Sequence, residues 1–175
     1  MSKQLTIAGK SRTNLLNHYH YNKFDMLAIT KIKNSKQSMI KPYGGLWSSP
    51  ADTEYGWYDW MLWEMPDWIK TKARHKTILE LDTSADIYVI DTYEDLANIA
   101  TSKEQYLDLP EFISTHIDFE ELAKKYQILW LTAEGQYNTR VSRPFNLYGW
   151  DCETTLILDK SVVSVKDIIG ECENV

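Results

Sequence analysis

Two acidic residues, Asp151 and Glu153, stand two positions apart at the start of an apolar run. Because side chains alternate along a strand, this spacing predicts that both carboxylates project from one face of a strand that begins with them. A carboxylate in such a setting is costly unless it is paired or has a function. The two acids are therefore candidate catalytic residues, and an exposed strand edge, where acidic residues are ordinary, is the alternative interpretation.

The segment GGLWSSP, residues 44–50, is the second candidate. Its two glycines let the backbone approach a ligand closely, and Trp47 offers a flat face on which a planar ligand can stack. A tight turn leading into a buried strand explains the same residues equally well. We expect the site to lie where this segment meets LYGWDCE, residues 147–153.

Only one pair of histidines has a spacing suited to joint action. His18 and His20 lie two residues apart and so on one face of a predicted strand, while His75 and His116 are distant in sequence. This pattern does not match metal-ligand spacing, so we expect no metal site. Two imidazoles with satisfied hydrogen bonds in a half-buried strand are the alternative to a functional role.

The short motifs of several common enzyme classes are absent from the sequence. It contains no GxxxxGK phosphate loop and no GxGxxG, HExxH, GxSxG or CxxC pattern. A small nuclease or phosphotransferase is supported only by Arg140 and Arg143, because the C-terminal third is otherwise poor in arginine and lysine around its acids.

Composition narrows the class of ligand. Seven Trp and eleven Tyr in 175 residues exceed ordinary usage, which indicates either a core rich in aromatic rings or a pocket for a planar ligand such as a nucleobase or nicotinamide. The net charge of −6 opposes non-specific attraction to phosphate backbones, so a generic nucleic-acid coat protein is not expected. A basic stretch, for which we favour a solvated loop over an anion site, contains Lys31, Lys33, Lys36 and Lys41.

The sequence also carries expectations about location and domain number. No run approaches the roughly 18 apolar residues of a membrane span, and MSKQLTIAGKSR lacks the apolar centre of a secretory signal. We expect a cytoplasmic protein in which Cys152 and Cys172 are reduced. No repeat or linker divides the sequence, so one domain over residues 1–175 is expected.

The predicted elements alternate irregularly, which favours an α+β fold over a doubly wound parallel sheet. Thr92 and Asp118 are predicted N-caps, the latter with Glu121 three residues later. Pro66 is expected to end or kink the first helix. Residues 24–30 could be a strand or a helical turn. We predict a helix over 54–64 and strands over 15–21, 46–50, 77–82, 85–91, 127–133 and 154–165.

Two segments together carry a family resemblance. KPYGGLWSSPADTEYGWYDW and LYGWDCETTLILDKSVV resemble a family of small bacterial and phage proteins with KPxGGLWxSP and LYGWDC[DE] segments, over roughly residues 17–165. That family in turn resembles the ADP-ribosyltransferase fold, in which split antiparallel sheets flanked by helices hold nicotinamide adenine dinucleotide (NAD). The resemblance therefore implies that NAD is the substrate.

The resemblance also implies which residues hold NAD. His20 would bind the ribose on the adenosine side, with His18 as the alternative. Trp47 would stack on nicotinamide in the place of the usual Tyr, and Ser49 stands near the place of the family's small residue. The implied binding residues are His20, Gly45, Leu46, Trp47 and Ser49.

In the last motif Glu153 resembles the catalytic glutamate and Asp151 the first acid of an E-x-E pair. Glu153 would stabilise an oxocarbenium-like ribose as nicotinamide leaves, and Asp151 would position or deprotonate the acceptor. The implied activity is mono-ADP-ribosyl transfer to a host or phage macromolecule, with a protein as the expected target. Glu153→Gln is then expected to abolish turnover and leave the fold intact. The alternative is a non-catalytic phage protein of the same fold that inhibits a host defence protein or sequesters a nucleotide.

Overall fold

The chain forms an α+β structure, as the sequence predicted, and is built around a seven-stranded mixed sheet. The computed structural model describes residues 4–35, 40–102 and 115–170, and the predictions concerning Lys36 and Cys172 lie outside these ranges. The strands are β1 (Gln4–Ile7), β2 (Lys10–Thr13), β3 (Leu15–His20), β4 (Leu46–Pro50), β5 (His75–Leu81), β6 (Ile87–Ile90), β7 (Ala100–Ser102), β8 (Thr115–Ile117), β9 (Ile128–Leu131), β10 (Thr154–Ile157) and β11 (Val163–Ile169). The helices are α1 (Trp57–Glu64), α2 (Pro66–Thr71), α3 (Tyr93–Ala97), α4 (Phe119–Leu122) and α5 (Ala133–Thr139).

Strand β4 joins the two halves of the large sheet, whose order is β11-β5-β3-β4-β10-β9-β6. Neighbouring strands are antiparallel except for β6 and β9, which are parallel. On one side β4 pairs with β3 only through Ser49 and Pro50. On the other side its first three residues, Leu46 to Ser48, pair with β10. The β3 and β4 ladder is therefore short at the centre of the sheet.

The two faces of the central strands pack into different cores. In β9, Trp130 belongs to one buried cluster and Leu129 to the other. In β10, Ile157 and Leu156 divide in the same way. Such strands are buried on both faces, which explains why their sequences read as continuous apolar runs. We call the side of Trp130, Ile157 and Leu46 the hairpin face and the side of Leu129, Leu156 and Trp47 the tryptophan face.

Local signals in the sequence account for the helix boundaries. Helix α1 ends at Glu64 and Pro66 opens α2, so the predicted break is confirmed. Thr92 caps α3 in a capping box with Asp95, and the Asp118 carboxylate accepts the Glu121 N–H at 3.0 Å to cap α4. Both predicted caps are confirmed. No helix within the described ranges has the length and apolar character needed to cross a membrane.

Several elements differ from the prediction or were not predicted. For residues 24–30 the helical turn, one of the two predicted alternatives, is confirmed as a 3-10 turn at Met26–Ala28. The predicted strand over 154–165 is two strands, because Asp159 caps a 3-10 turn at Lys160–Val162 and reverses the chain. The β1–β2 hairpin, the β7–β8 pair and α5 were not predicted. Helix α5 begins at Ala133, which we had assigned to a strand.

Gly135 in α5 provides a test of the packing against β6. A Cβ at this position would collide with the Ile90 carbonyl oxygen and lie 2.7 Å from its carbonyl carbon. Gly135→Ala should therefore lower the free energy of unfolding by about 2 kcal/mol, despite the roughly 1 kcal/mol that alanine contributes in a helix. Gly170→Ala is the control, since a Cβ there meets nothing within 4 Å. Equal urea-unfolding midpoints for the two variants would contradict this packing.

Candidate functional site

Five tryptophans form a continuous series on the tryptophan face. Trp150 contacts Trp47 at 4.8 Å between ring centroids, Trp47 contacts Trp57 at 6.3 Å, Trp57 contacts Trp60 at 5.7 Å and Trp60 contacts Trp68 at 5.9 Å. Each contact is edge to face, the geometry that aromatic quadrupoles prefer. At the Trp47–Trp150 contact GGLW meets LYGWDCE, the junction where the site was predicted.

Four of these tryptophans line a cavity of about 380 Å³, which we call the tryptophan cavity. This volume lies in the range of small-molecule sites, roughly 300–1,000 Å³, near its lower end. The lining residues are His18, Tyr19, Lys41, Pro42, Trp47, Trp57, Trp60, Met61, Trp68, Lys72 and Ala73.

Helix α1 is positioned over this cavity by a serine of β4. The Ser49 hydroxyl accepts the Trp57 N–H at 3.0 Å and donates to the Glu153 carbonyl at 3.0 Å, so it ties the start of α1 to the sheet. Trp57, Trp60 and Met61 then share one helix face because residues three and four apart are neighbours. Trp63 points elsewhere and is 76% exposed.

The charge of the lining selects the ligand. The described residues around the cavity include Lys41 and Lys72 but no aspartate or glutamate. Two ammonium groups repel a cationic ligand, so an aromatic cage for a quaternary ammonium does not fit here. A neutral or anionic ring compound does. Lys41, which we had interpreted as part of a solvated loop, in fact lines the cavity.

His18 lines both the tryptophan cavity and the more open cavity beside His20, and its ring is neutral. Its Nδ1 lies 2.7 Å from the Trp47 carbonyl oxygen, and because a carbonyl only accepts, Nδ1 carries the proton. Burial lowers the pKa of His18 to about 4, although the Trp47 hydrogen bond opposes the shift and His20 adds to it. His18 is therefore uncharged near neutral pH, and Nε2 is the nitrogen without a proton.

His20 has both ring nitrogens engaged outside the tryptophan cavity. Nδ1 lies 2.6 Å from the Asn22 carbonyl oxygen and Nε2 lies 2.9 Å from the Thr77 hydroxyl. Burial lowers the pKa of His20. The His18 and His20 rings stack at 5.4 Å, which confirms that they share one face. Of the two alternatives for the ribose-binding histidine, His18 is the one that lines the cavity with Trp47.

Gly45 and Leu46 have roles in the backbone and the core. Gly45 has φ +66°, and a Cβ there would lie 2.7 Å from the Ile32 Cδ1 and 2.8 Å from the Ile157 carbonyl oxygen. Leu46 is buried in the core of the hairpin face. Both line a second, more open cavity beside His20, and neither lines the tryptophan cavity. The turn-and-strand interpretation accounts for both residues.

Glu153 lies in a buried ion pair that the sequence analysis did not predict. Its carboxylate accepts hydrogen bonds from Arg12 Nη1 at 2.7 Å, Arg12 Nη2 at 3.1 Å and the Trp130 indole N–H at 3.1 Å. The Glu153 side chain is only 3% exposed. The Arg12 guanidinium also bonds to Asp52 at 2.9 Å and lies over the Trp130 ring, 5.5 Å from its centroid. Arg12 thereby ties the β1–β2 hairpin to the sheet.

Opposing effects set the ionisation of this network. Burial lowers the pKa of Arg12, but the hydrogen bonds to Glu153 and Asp52 outweigh it and hold the pKa above its ordinary value. Burial likewise raises the pKa of Asp52, while the hydrogen bonds from Arg12 and from the Thr13 N–H outweigh it and lower the pKa overall. Arg12 is therefore a permanent cation facing two carboxylates.

The structure does not bring Glu153 to the tryptophan cavity. The Glu153 carboxylate bonds to Trp130, which belongs to the core of the hairpin face. Trp47 packs against the opposite core, on the tryptophan face. A ring stacked on Trp47 is thus separated from the Glu153 carboxylate by the sheet itself.

Asp151 and Glu153 do not act as a pair. Strand β10 begins at Thr154, after both acids, and each carboxylate has its own arginine. Asp151 bonds to Arg140 at 3.1 Å, whereas Glu153 bonds to Arg12. The expectation that both carboxylates project from one face is therefore wrong, because side chains alternate in this regular way only inside a strand.

The thiol between the two acids is not a nucleophile. Burial raises the pKa of Cys152 to about 12, so the thiolate is scarce near neutral pH. Among the described residues no group of three or more His, Cys, Asp or Glu side chains could hold a metal ion.

Comparisons of the chain with protein-family models, with curated proteins and with solved structures found no match. The site is therefore interpreted from its own geometry.

Sequence reasoning missed Arg12 and Asp52, although a buried glutamate requires a cation and the chain contains only four arginines, at positions 12, 74, 140 and 143.

We predict that Glu153 is required for stability. Glu153→Gln should lower the free energy of unfolding by roughly 3 kcal/mol, because it leaves the buried Arg12 charge short of a partner. Adding Arg12→Met to this variant should cost at least about 1 kcal/mol less than the sum of the two single changes. Asp52→Asn is the control and should cost under about 1 kcal/mol, since Asp52 is 35% exposed. Strict additivity in denaturant unfolding would contradict the coupling.

His18 gives a pH prediction with a defined sign. The imidazole pKa is 6.5 without the fold and about 4 within it, so the unfolded chain binds the extra proton between these values. Stability contributed by the neutral ring is present above pH 6.5 and is lost as the pH falls through this interval, by roughly 3 kcal/mol at most. His18→Asn keeps a donor for the Trp47 carbonyl but does not titrate, and should flatten the curve. Parallel wild-type and variant curves between pH 7 and pH 4 would contradict this assignment.

Proposed function

We propose that this protein captures a small ligand with a planar heteroaromatic ring, a nucleobase-bearing compound, in the tryptophan cavity and holds it without breaking a bond. The observation that supports this most directly is the cavity of about 380 Å³ walled by four tryptophans. Stacking of a base on an aromatic side chain contributes roughly 1–3 kcal/mol. Two such contacts would contribute roughly 2–6 kcal/mol to binding.

The polar groups around the cavity favour binding over chemistry. The described lining carries no carboxylate and no thiol. His18 is neutral with its Nδ1 proton committed to a carbonyl. Cleavage of a ribosyl bond develops positive charge, which requires a nearby anion. Glu153, the anion expected for that role, is held by Arg12 and Trp130 on the hairpin face.

NAD-dependent ADP-ribosyl transfer, on an ADP-ribosyltransferase-like fold, is the second proposal. It is supported by His18 and Trp47, which line one cavity as a ribose-binding histidine and a nicotinamide-stacking ring would, and by a sheet in two parts joined at β4. It requires that Glu153 leave Arg12 and Trp130 and reach the other face of the sheet. Inhibition of a host defence protein stays a prediction from the resemblance.

Trp60→Ala should weaken ligand binding by about 10-fold or more, because it removes one stacking face. The measurement is quenching of tryptophan fluorescence by a panel of nucleosides, nucleoside monophosphates and NAD, checked by calorimetry. Trp63→Ala is the matched control on the same helix, since Trp63 is exposed and does not line the cavity. If no member of the panel binds the wild-type protein, the capture proposal fails.

The transferase proposal needs a separate measurement. Wild type and Glu153→Gln are incubated with labelled NAD and a cell lysate, after thermal melts have shown that the variant is folded at the assay temperature. Nicotinamide release and transfer of label that are lost in the variant would favour the enzyme. Recovery of the bound nucleotide intact from the wild type would favour capture.

A further inference from the structure

Two lysines from separate segments line the tryptophan cavity. Lys41 precedes β4 in the chain and Lys72 follows α2, yet both line the same space. We infer that these ammonium groups bind a terminal phosphate while the tryptophans hold the base, so that the ligand class is the nucleoside monophosphate. This inference rests on the proposed function and specifies its ligand.

The position of Lys41 is fixed by the loop that carries Trp150. The Trp150 indole N–H donates to the Ile40 carbonyl at 2.8 Å, which anchors the residue before Lys41. Gly149 has φ +96°, and a Cβ there would lie 3.6 Å from Lys41 Nζ. The Lys41 ammonium group therefore lies beside Gly149, which leaves space for it in the loop that carries Trp150.

Neither lysine is neutralised within the part of the chain that the structure describes. No ion pair joins Lys41 or Lys72 to a described carboxylate, and Asp151 is paired with Arg140. The protein as a whole carries a net charge of −6, whereas the described lining of this cavity contains two lysines and no carboxylate. A phosphate monoester, close to doubly negative near pH 7, matches two ammonium groups.

The size of the cavity favours one nucleoside over two. At about 380 Å³ it is near the lower limit of small-molecule sites and has one continuous aromatic wall. In a dinucleotide such as NAD the phosphates are internal and a second nucleoside must find its own place. A monophosphate presents one ring and one terminal anion, which is the arrangement of groups that the lining offers.

The test compares adenosine with adenosine monophosphate, and guanosine with guanosine monophosphate, on the full chain by fluorescence and calorimetry. We expect the favoured monophosphate to bind at least about tenfold more tightly than its nucleoside, with an advantage that shrinks as salt rises. Lys41→Gln and Lys72→Gln should each remove most of that advantage, so that the monophosphate binds little more tightly than its nucleoside to either variant. Lys70→Gln, on the same helix α2 but outside the lining, is the matched control and should change nothing.

The possible results distinguish failure of the phosphate assignment from failure of the proposed capture of a base. If nucleoside and monophosphate bind equally, or if the monophosphate advantage survives both lysine substitutions, the phosphate assignment is overturned while capture of a base stands. Tighter binding of NAD than of either monophosphate would also overturn it. If none of these compounds binds, the proposed function fails, and the inference fails with it.

Discussion

The double burial of β4 is the constraint on which the rest of the structure depends. This strand is paired on both edges, with β3 and with β10, and is covered on both faces. Because successive side chains of a strand point to opposite faces, Leu46 lies in the core of the hairpin face and Trp47 on the tryptophan face. Ser49, also on the tryptophan face, fixes α1 through the Trp57 N–H, so the aromatic wall follows from the register of one five-residue strand.

Each face of the sheet carries one polar centre with a different purpose. On the hairpin face Arg12 bridges Glu153 and Asp52, two acids far from it in sequence, and holds the β1–β2 hairpin in place. Desolvation consumes most of the attraction in such a buried pair, so its value lies in fixing one arrangement rather than in net stability. On the tryptophan face, Lys41 and Lys72 have no such partner among the described residues and border open space. In the proposed function it is these two lysines, and not the Arg12 network, that contact the ligand.

Local patterns predicted what local physics decides. The confirmed predictions all depend on neighbours within a few residues. They are the α1 helix, the break at Pro66, the caps at Thr92 and Asp118, and the shared face of His18 and His20. The Arg12 contact joins residues 141 positions apart, and nothing local in the sequence encodes it. Lys72 gave no signal at all, because a lysine at a helix end is ordinary. The α5 helix was missed since its apolar neighbour β9 extended the strand pattern to Ala133.

The two proposed functions differ in what they require of the sheet: transfer needs Trp47 and Glu153 on one face, whereas capture does not. A family resemblance carries no information about the face on which a side chain lies. Trp47 is paired with Leu156. The side chains of β10 that lie near Trp47 are therefore those on the same face of the sheet as Leu156. Glu153 precedes β10, and its carboxylate bonds to Trp130, whose ring lies in the core of the hairpin face. A motif match assigns Trp47 and Glu153 to one site because a tryptophan and a glutamate stand at the expected positions of the two family segments in the sequence. A shift of one residue in register would put them together, but would move every buried side chain of β10 to the wrong core.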